Sequence, residues 1–366
     1  MGLSTKFRIP PPPSASDSGW ISVTSATSYS ASVSFTLSSA HGTKTVYVWF
    51  KDAAGNVSSS ASDSIFLSRK AYVSDKSGKV SVIDLINETE SASIDLTGQN
   101  PYWIASSANG DIVAVSLRND SVALINSSTN TLLDPVISGL GSEMEAVAVN
   151  STGTTVYAAD ESSSDLYVID VGTMVPYGPI DLSDYCDEPE NMVISPDDVY
   201  LYITCASGGG AVIRVATSDF AISTIDDLDL SDPHGIALNS TGTRLYYTDG
   251  TDTYEYDTDT SALTGTVFTG CDMYNGAVSP DGSRLYCVEE DSTLSIYNTS
   301  NGILLDTVAL GGCCARGVAV SLDGTRVYVP LDDTDSVKVI NADTMTLSGD
   351  IPVTGTDPRG IVILSH

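Results

Sequence analysis

"SPDGSRLYCVEED" at positions 279 to 291 and "SLDGTRVYVPLDD" at 321 to 333 are two copies of one phrase, and the distance between copies decides the fold. Further copies begin at Asn150 ("NSTGTTVYAADES"), Ser195 ("SPDDVYLYITCAS") and Asn239 ("NSTGTRLYYTDGT"), with a worn one at Ser107 ("SANGDIVAVSLRN") and a half copy at Arg69. Aligned on the tyrosine, the markers are Tyr72, Ala114, Tyr157, Tyr202, Tyr246, Tyr286 and Tyr328, spaced by 42, 43, 45, 44, 40 and 42 residues. Short apolar runs and turn residues at such a period are the signature of a radial β array and not of a helical solenoid.

Each unit reads as four antiparallel strands. An almost wholly apolar run such as "RGVAVS" (316 to 321) suits an innermost strand a, covered on both faces. The "SPDG" turn presets φ at proline and supplies positive φ at glycine, folding the chain back into strand b with its tyrosine. An acidic loop leads to strand c, for example "DLYVID" (165 to 170), and a looser strand d such as "GDIPV" (349 to 353) ends the unit. The expected fold is therefore all-β, a seven-bladed propeller. The first unit starts at strand b near Lys70, and "PRGIVIL" (358 to 364) is a strand a with no strand b after it. The last strand should complete the first blade and leave no free edge.

The array resembles the YVTN-repeat family of seven-bladed propellers of surface-layer-type exported proteins. The resemblance rests on "G-T-x-[VL]-Y-V" followed by "S-V-x-V-I-[DN]", clearest at 324 to 341, and spans residues 69–366. It implies a fold and not a chemistry, because the motif residues build the blade. Residues 1–19 read as a flexible Pro/Ser-rich lead with no apolar partner. In 20–68, "ASVSFTLSS" (31 to 39) and "KTVYVWFKDAAGNVSSS" (44 to 60) alternate like strands. The stretch "TVYVWFKDAAGNVS" resembles the C-terminal half of bacterial and archaeal immunoglobulin-like surface modules. Roughly half a sandwich is present, so a small β unit is expected there.

With 47 acidic against 16 basic side chains the net charge is −31, which repels phosphate backbones and anionic lipid and argues against nucleic acid or membrane insertion as partners. No apolar run is long enough to span a bilayer, and the N-terminus has no signal-type apolar core. An extracellular or cell-surface chain, whose export signal or upstream modules lie outside this sequence, is the expectation.

The six cysteines fall at blade positions. The start of strand a and the end of strand b share one end of a blade, so Cys186 with Cys205 and Cys271 with Cys287 are the natural disulfides, among several pairings that six cysteines permit. Cys313 and Cys314 are adjacent, open to a vicinal disulfide, a bond from one of them to Cys271, or the thiol state. A metal site is the alternative, but no Cys-x-x-Cys is present and His234 is the single histidine of the array.

The residue before each strand a should ring the channel mouth. In blade order these are Tyr102, Glu145, Glu190, His234, Asn275, Arg316 and Arg359. Carboxylates, an imidazole and guanidiniums around one opening suit a polar or zwitterionic ligand, against the plainer reading that they only hydrate the channel. The neighbouring b-to-c loops carry Asp160, Glu161 and Asp165, then Asp249 and Asp252, then Asp332, Asp333 and Asp335. Oxygen clusters of this kind can hold calcium, although none matches the EF-hand loop and no cofactor is required by the sequence. Catalytic signatures are thin: there is no G-x-S-x-G elbow, no H-E-x-x-H and no phosphate-cradling glycine loop. The expected function is a cell-surface or secreted binding or structural module presenting a loop face to a surface protein or glycan. The alternative is an exported lactonase- or lyase-like propeller with His234 and Glu190 as an acid/base pair.

Overall fold

A computed structural model describes residues 3–8, 21–23, 42–67, 69–208, 210–225, 230–289 and 291–364. Contacts divide the chain into two compact units, with the boundary between Arg69 and Lys70.

The second unit is a seven-bladed propeller of four-stranded antiparallel sheets. The first blade joins Pro358–Ile363 to Lys70–Asp75, Lys79–Asp84 and Thr89–Asp95. The others follow in order over 101–137, 144–181, 187–224, 236–268, 275–309 and 319–352. Closure occurs as the repeat phase requires: Ile361 faces Val73, Val362 faces Tyr72 and Ile363 faces Ala71. Innermost strands touch their neighbours all the way round, including the seventh against the first and the first against the second. Among the described residues the only helical segment is the single 3-10 turn Asp332–Thr334, and no helix is long and apolar enough to cross a membrane.

The marker tyrosines show how a blade tapers toward the axis. Each is buried on strand b, and in four of the six the partner on strand a is alanine: Ala148 opposite Tyr157, Ala237 opposite Tyr246, Ala277 opposite Tyr286 and Ala319 opposite Tyr328, while Tyr72 faces Val362 and Tyr202 faces Val193. Inner strands crowd at the axis, where alanine or valine fits, while the ring of the tyrosine fills the wider space further out. Buried apolar side chains among the described residues group into seven clusters, each shared by two consecutive blades. Tyr328, for instance, packs with Ala71 and Val73 across the seam where the ring closes. The core is thus a wheel of interfaces, each drawing on burial worth about 1.5–3 kcal/mol per large apolar side chain.

The a-to-b turns are held by the residues of the repeated phrase. Ser279 Oγ donates to Asp281 Oδ1 at 2.6 Å, Arg284 N donates to Ser279 Oγ at 2.9 Å, and Gly282 takes a φ of 73°. Ser321, Asp323, Arg326 and Gly324 repeat this arrangement at 2.7 Å, 2.9 Å and 70°. Two disulfides join strand b to the segment leading into strand a within a blade, Cys186–Cys205 and Cys271–Cys287, with Cα separations of 5.2 and 6.0 Å. Their sulfurs belong to the clusters between blades three and four and between five and six. Cys313 and Cys314 are thiols, the first exposed and the second half-buried.

The first unit holds a four-stranded antiparallel sheet in the order Ile21–Val23, Leu3–Arg8, Gly42–Lys51, Ala61–Leu67. Leu3–Arg8 corrects the reading of 1–19 as a lead throughout. Its alternation Leu3, Thr5, Phe7 against Ser4, Lys6, Arg8 is a strand pattern masked in the sequence by the proline run beside it. The stretch Asp52 to Asn56 forms a turn in which Asn56 N and Nδ2 donate to the Asp52 carboxylate at 2.8 Å each. The strand expected over 31–39 lies outside the described residues.

Candidate functional site

The mouth of the channel is built at the starts of the a strands. In several blades the residue after the mouth position is glycine, and the reason is steric. A Cβ on Gly235 would lie 2.1 Å from Met273 O in the next blade, and one on Gly317 would lie 2.4 Å from Arg359 O. Bare backbone lets neighbouring blades close up, which brings the preceding side chains His234, Arg316 and Arg359 into one layer.

That layer spans the mouth. Tyr102 and Tyr274, from the second and sixth blades on opposite sides of the ring, meet hydroxyl to hydroxyl at 3.3 Å. Arg359 lies over the Tyr102 ring at 4.7 Å and Arg316 over the Tyr274 ring at 4.5 Å. His234 stacks on Tyr274 with centroids 5.3 Å apart and planes 17° apart. Trp103 packs edge-on to Tyr102 and tilted against Tyr274. Cation and ring contacts of this kind contribute about 0.5–2 kcal/mol each once desolvated. Instead of an open ring of side chains around a hole, the structure has a bar of aromatic and cationic groups across it.

Carboxylates fill the other side of the layer. Arg118 pairs with Glu143 at 3.3 Å, with Glu145 at 3.2 Å and, at shorter range, with Glu161. Glu145 is 1 % exposed. Burial first, then the hydrogen bond with Glu161 and the charge of Glu190, push its carboxyl above the usual range, against the opposing pull of Arg118. Against the upward pull of burial, that same hydrogen bond and Arg118 hold Glu161 below its ordinary value. Oxygen atoms of Glu145, Glu161 and Glu190 lie within 4.8 Å of one another, the one such acid group among the described residues. Arg118 already stands among them as counter-ion.

His234 is held between two carboxylates, with Nε2 3.0 Å from Asp232 and Nδ1 3.7 Å from Glu190. Glu190 first, against the opposing effect of burial, and then Asp232 raise its pKa to about 9. At 3.7 Å the Glu190 effect is a charge interaction and not a hydrogen bond. The accessible part of the mouth is a depression of about 340 Å³ lined by Asp232, His234, Gly250, Asp272, Tyr274 and Arg316.

Of the seven residues expected at the mouth, Tyr102, Glu145, Glu190, His234, Arg316 and Arg359 lie in this layer, while Asn275 lines the channel below and Tyr274 stands in its place. The loop aspartates do not converge. Asp160 accepts from Ser142 N, Ser162 N and Ser162 Oγ, and Asp165 accepts from Ser163 Oγ. Asp249 accepts from Thr251 N, Asp252 N and Tyr254 Oη, and Asp252 from Gly270 N. Asp335 accepts from Asp357 N, and Asp332 faces Lys76 at 3.8 Å, its carboxyl raised to about 6 by burial and by Asp357. Asp160, Asp165, Asp249 and Asp252 brace the loops of their own blades, while Asp332 and Asp335 tie the seventh blade to the first. Sequence reasoning missed Arg118, Tyr274 and Trp103 and saw Glu161 only as a loop acid. Arg118 and Glu161 each directly follow a strand b at the mouth end, which is the signal that could have found them.

No family model matches the sequence, and no curated relative matches it. Solved structures do match in fold. Hydrazine synthase of Kuenenia stuttgartiensis aligns with a TM-score of 0.62 at 18% identity, covering 71% of this chain and 88% of that one. The β-propeller domain of Cps50 (Swd1) from Myceliophteria thermophila aligns at 0.60 and 10% identity, covering 72% and 91%. A chain of a nidogen/laminin complex aligns at 0.53 and 14% identity, covering 81% and 99%. At these identities the likeness is one of fold alone.

Proposed function

We propose that this chain is a binding module of a cell-surface or secreted protein, and that the depression beside Tyr274 is where its propeller receives a polar or zwitterionic group of a surface protein or glycan. The carrying observation is the composition of that depression: Arg316 and His234 supply cations, Asp232 and Asp272 supply anions, and all lie within one concavity of about 340 Å³. Buried disulfides at the same end of blades four and six support an oxidising setting and brace the loops around it. The likeness to the YVTN-repeat propellers and to immunoglobulin-like modules of exported proteins supports the surface assignment. The chain that aligns in fold from a nidogen/laminin complex belongs to a protein assembly, which is compatible with a partner-binding role. No calcium is needed for this reading.

The exported lactonase- or lyase-like alternative needs His234 as a base. Carboxylates near both of its nitrogens favour the imidazolium, which binds anions but cannot accept a proton.

Arg316→Ala tests the proposal against a panel of surface glycans, lactones and small zwitterions by calorimetry. Loss of a charge-assisted contact worth about 1.5–3 kcal/mol should weaken binding roughly tenfold or more. Unchanged affinity for a ligand that binds the parent protein, or no binding across the panel, would remove the mouth from consideration.

A further inference from the structure

Beneath the bar of side chains the channel is a cavity of about 570 Å³. Its walls come from the a strands of all seven blades, just inside the mouth layer, and its far end is bounded by turn residues Ser107, Ser151, Asp198 and Ser240. Tyr102, Glu145, Glu190, His234, Tyr274 and Arg359 do not line it. With Tyr102 3 % and Arg359 7 % exposed, the mouth layer is a roof, and the cavity opens on the face of the a-to-b turns. Its volume lies within the roughly 300–1,000 Å³ of small-molecule sites.

Three donors at the roofed end, on Trp103, Asn191 and Arg359, have neither a hydrogen-bond partner nor an ion pair among the described residues, whereas Arg118 Nε, Glu145 Oε2 and His234 Nδ1, also without a hydrogen bond, each face an opposite charge. The indole Nε1 of Trp103 and the amide Nδ2 of Asn191 have no hydrogen-bond partner, and both residues line the cavity. Trp103 is 7 % exposed and Asn191 9 %. Arg359, in the roof itself, has an Nε without a partner and no ion pair among the described residues, only its contact with the Tyr102 ring. Native proteins rarely leave buried donors unpaired, and a buried cation is costly without a counter-charge. Below these groups the walls turn apolar, with Ile104, Val147, Val193, Ile236 and Val278.

We infer that the channel is a second binding site, for a monocarboxylate on a short unbranched apolar chain, which enters from the face of the a-to-b turns and sets its head group beneath Arg359. The carboxylate accepts from Trp103 Nε1 and Asn191 Nδ2, and the guanidinium supplies the counter-charge. Water filling the channel could satisfy the two neutral donors but would leave Arg359 unpaired. Each roof carboxylate already faces a cation of its own: Glu190 faces His234, and Glu145 and Glu161 pair with Arg118. Asp198 at the outer rim is engaged by Ser151 N and Oγ.

The test is isothermal calorimetry of the full chain with butyrate, hexanoate, octanoate and decanoate, and with the matching primary alcohols. Saturable one-site binding that tightens with chain length is expected, with the alcohols about tenfold or more weaker. Trp103→Phe and Arg359→Met should each weaken octanoate binding by about tenfold or more. Arg359→Met should also raise the melting temperature of the free protein, because it removes an unpaired buried charge; a purely structural arginine would lower it. Absence of saturable binding at every chain length would overturn the inference in favour of a water-filled channel. So would alcohols that bind as tightly as the acids, or binding indifferent to both substitutions.

Discussion

His234 decides what kind of chemistry the mouth can perform, and its charge is measurable. Its pKa is raised from 6.5 to about 9, chiefly by Glu190 and then by Asp232. A rise of that size corresponds to about 3 kcal/mol of preference for the imidazolium at most, since the side chain is 26% exposed and solvent screens part of it. The folded-state value lies above the unfolded one. The associated stability is therefore complete below pH ~6.5 and is lost as pH rises from there through ~9. Glu190→Gln leaves Asp232 at 3.0 Å but removes the largest contribution, and should bring the imidazole down to roughly 7–8. The chain has three histidines, His41, His234 and His366, so a nitrogen-edited NMR titration resolves them, with His234 assigned by its loss in His234→Asn. In parallel, melting temperatures across the same interval should decline in the parent protein and decline over a narrower interval in Glu190→Gln. A His234 that titrates at or below 6.5, or one unmoved by Glu190→Gln, would refute the electrostatic reasoning and return the imidazole to the role of a base.

Two predictions concern the scaffold. Cys271→Ala with Cys287→Ala opens a loop of sequence separation 16, which should cost about 3 kcal/mol in a denaturant titration, and a loss below about 1 kcal/mol would contradict the loop-closure argument. Deleting the strand Pro358–Ile363 and the residues after it strips Lys70–Asp75 of its inner partner and removes buried Ile361 and Leu364. Side-chain burial alone is then worth about 3–6 kcal/mol, comparable with the whole stability of many domains, so the cooperative thermal transition should vanish. A truncated chain that still melts sharply near the parent temperature would show that ring closure is dispensable.

Much of the architecture was legible because it is written locally and repeatedly. Turn residues at 279 to 284 and 321 to 326, apolar runs of strand length and a marker every 40 to 45 residues, tyrosine at six of seven positions, specify blades one at a time, and seven such blades close a ring by their own geometry. The leftover strand at 358 to 363 and the two disulfides follow from the same phase, since strand direction alone says which ends of a blade coincide. Leu3–Arg8 escaped because its short alternation stands beside prolines, and pairing with Gly42–Lys51 is what makes it a strand. Sequence periodicity places six of the seven mouth positions in one layer, but it is blind to who meets whom there. Tyr102 and Tyr274 touch across the axis from blades 172 residues apart, and Arg118 reaches Glu145 and Glu161 in the next blade. Those contacts depend on how closely glycine-bearing strands approach the axis and on side chains long enough to cross it. Periodicity along the chain sets a residue's height in a blade, whereas only the closed ring sets its distance from the blade opposite.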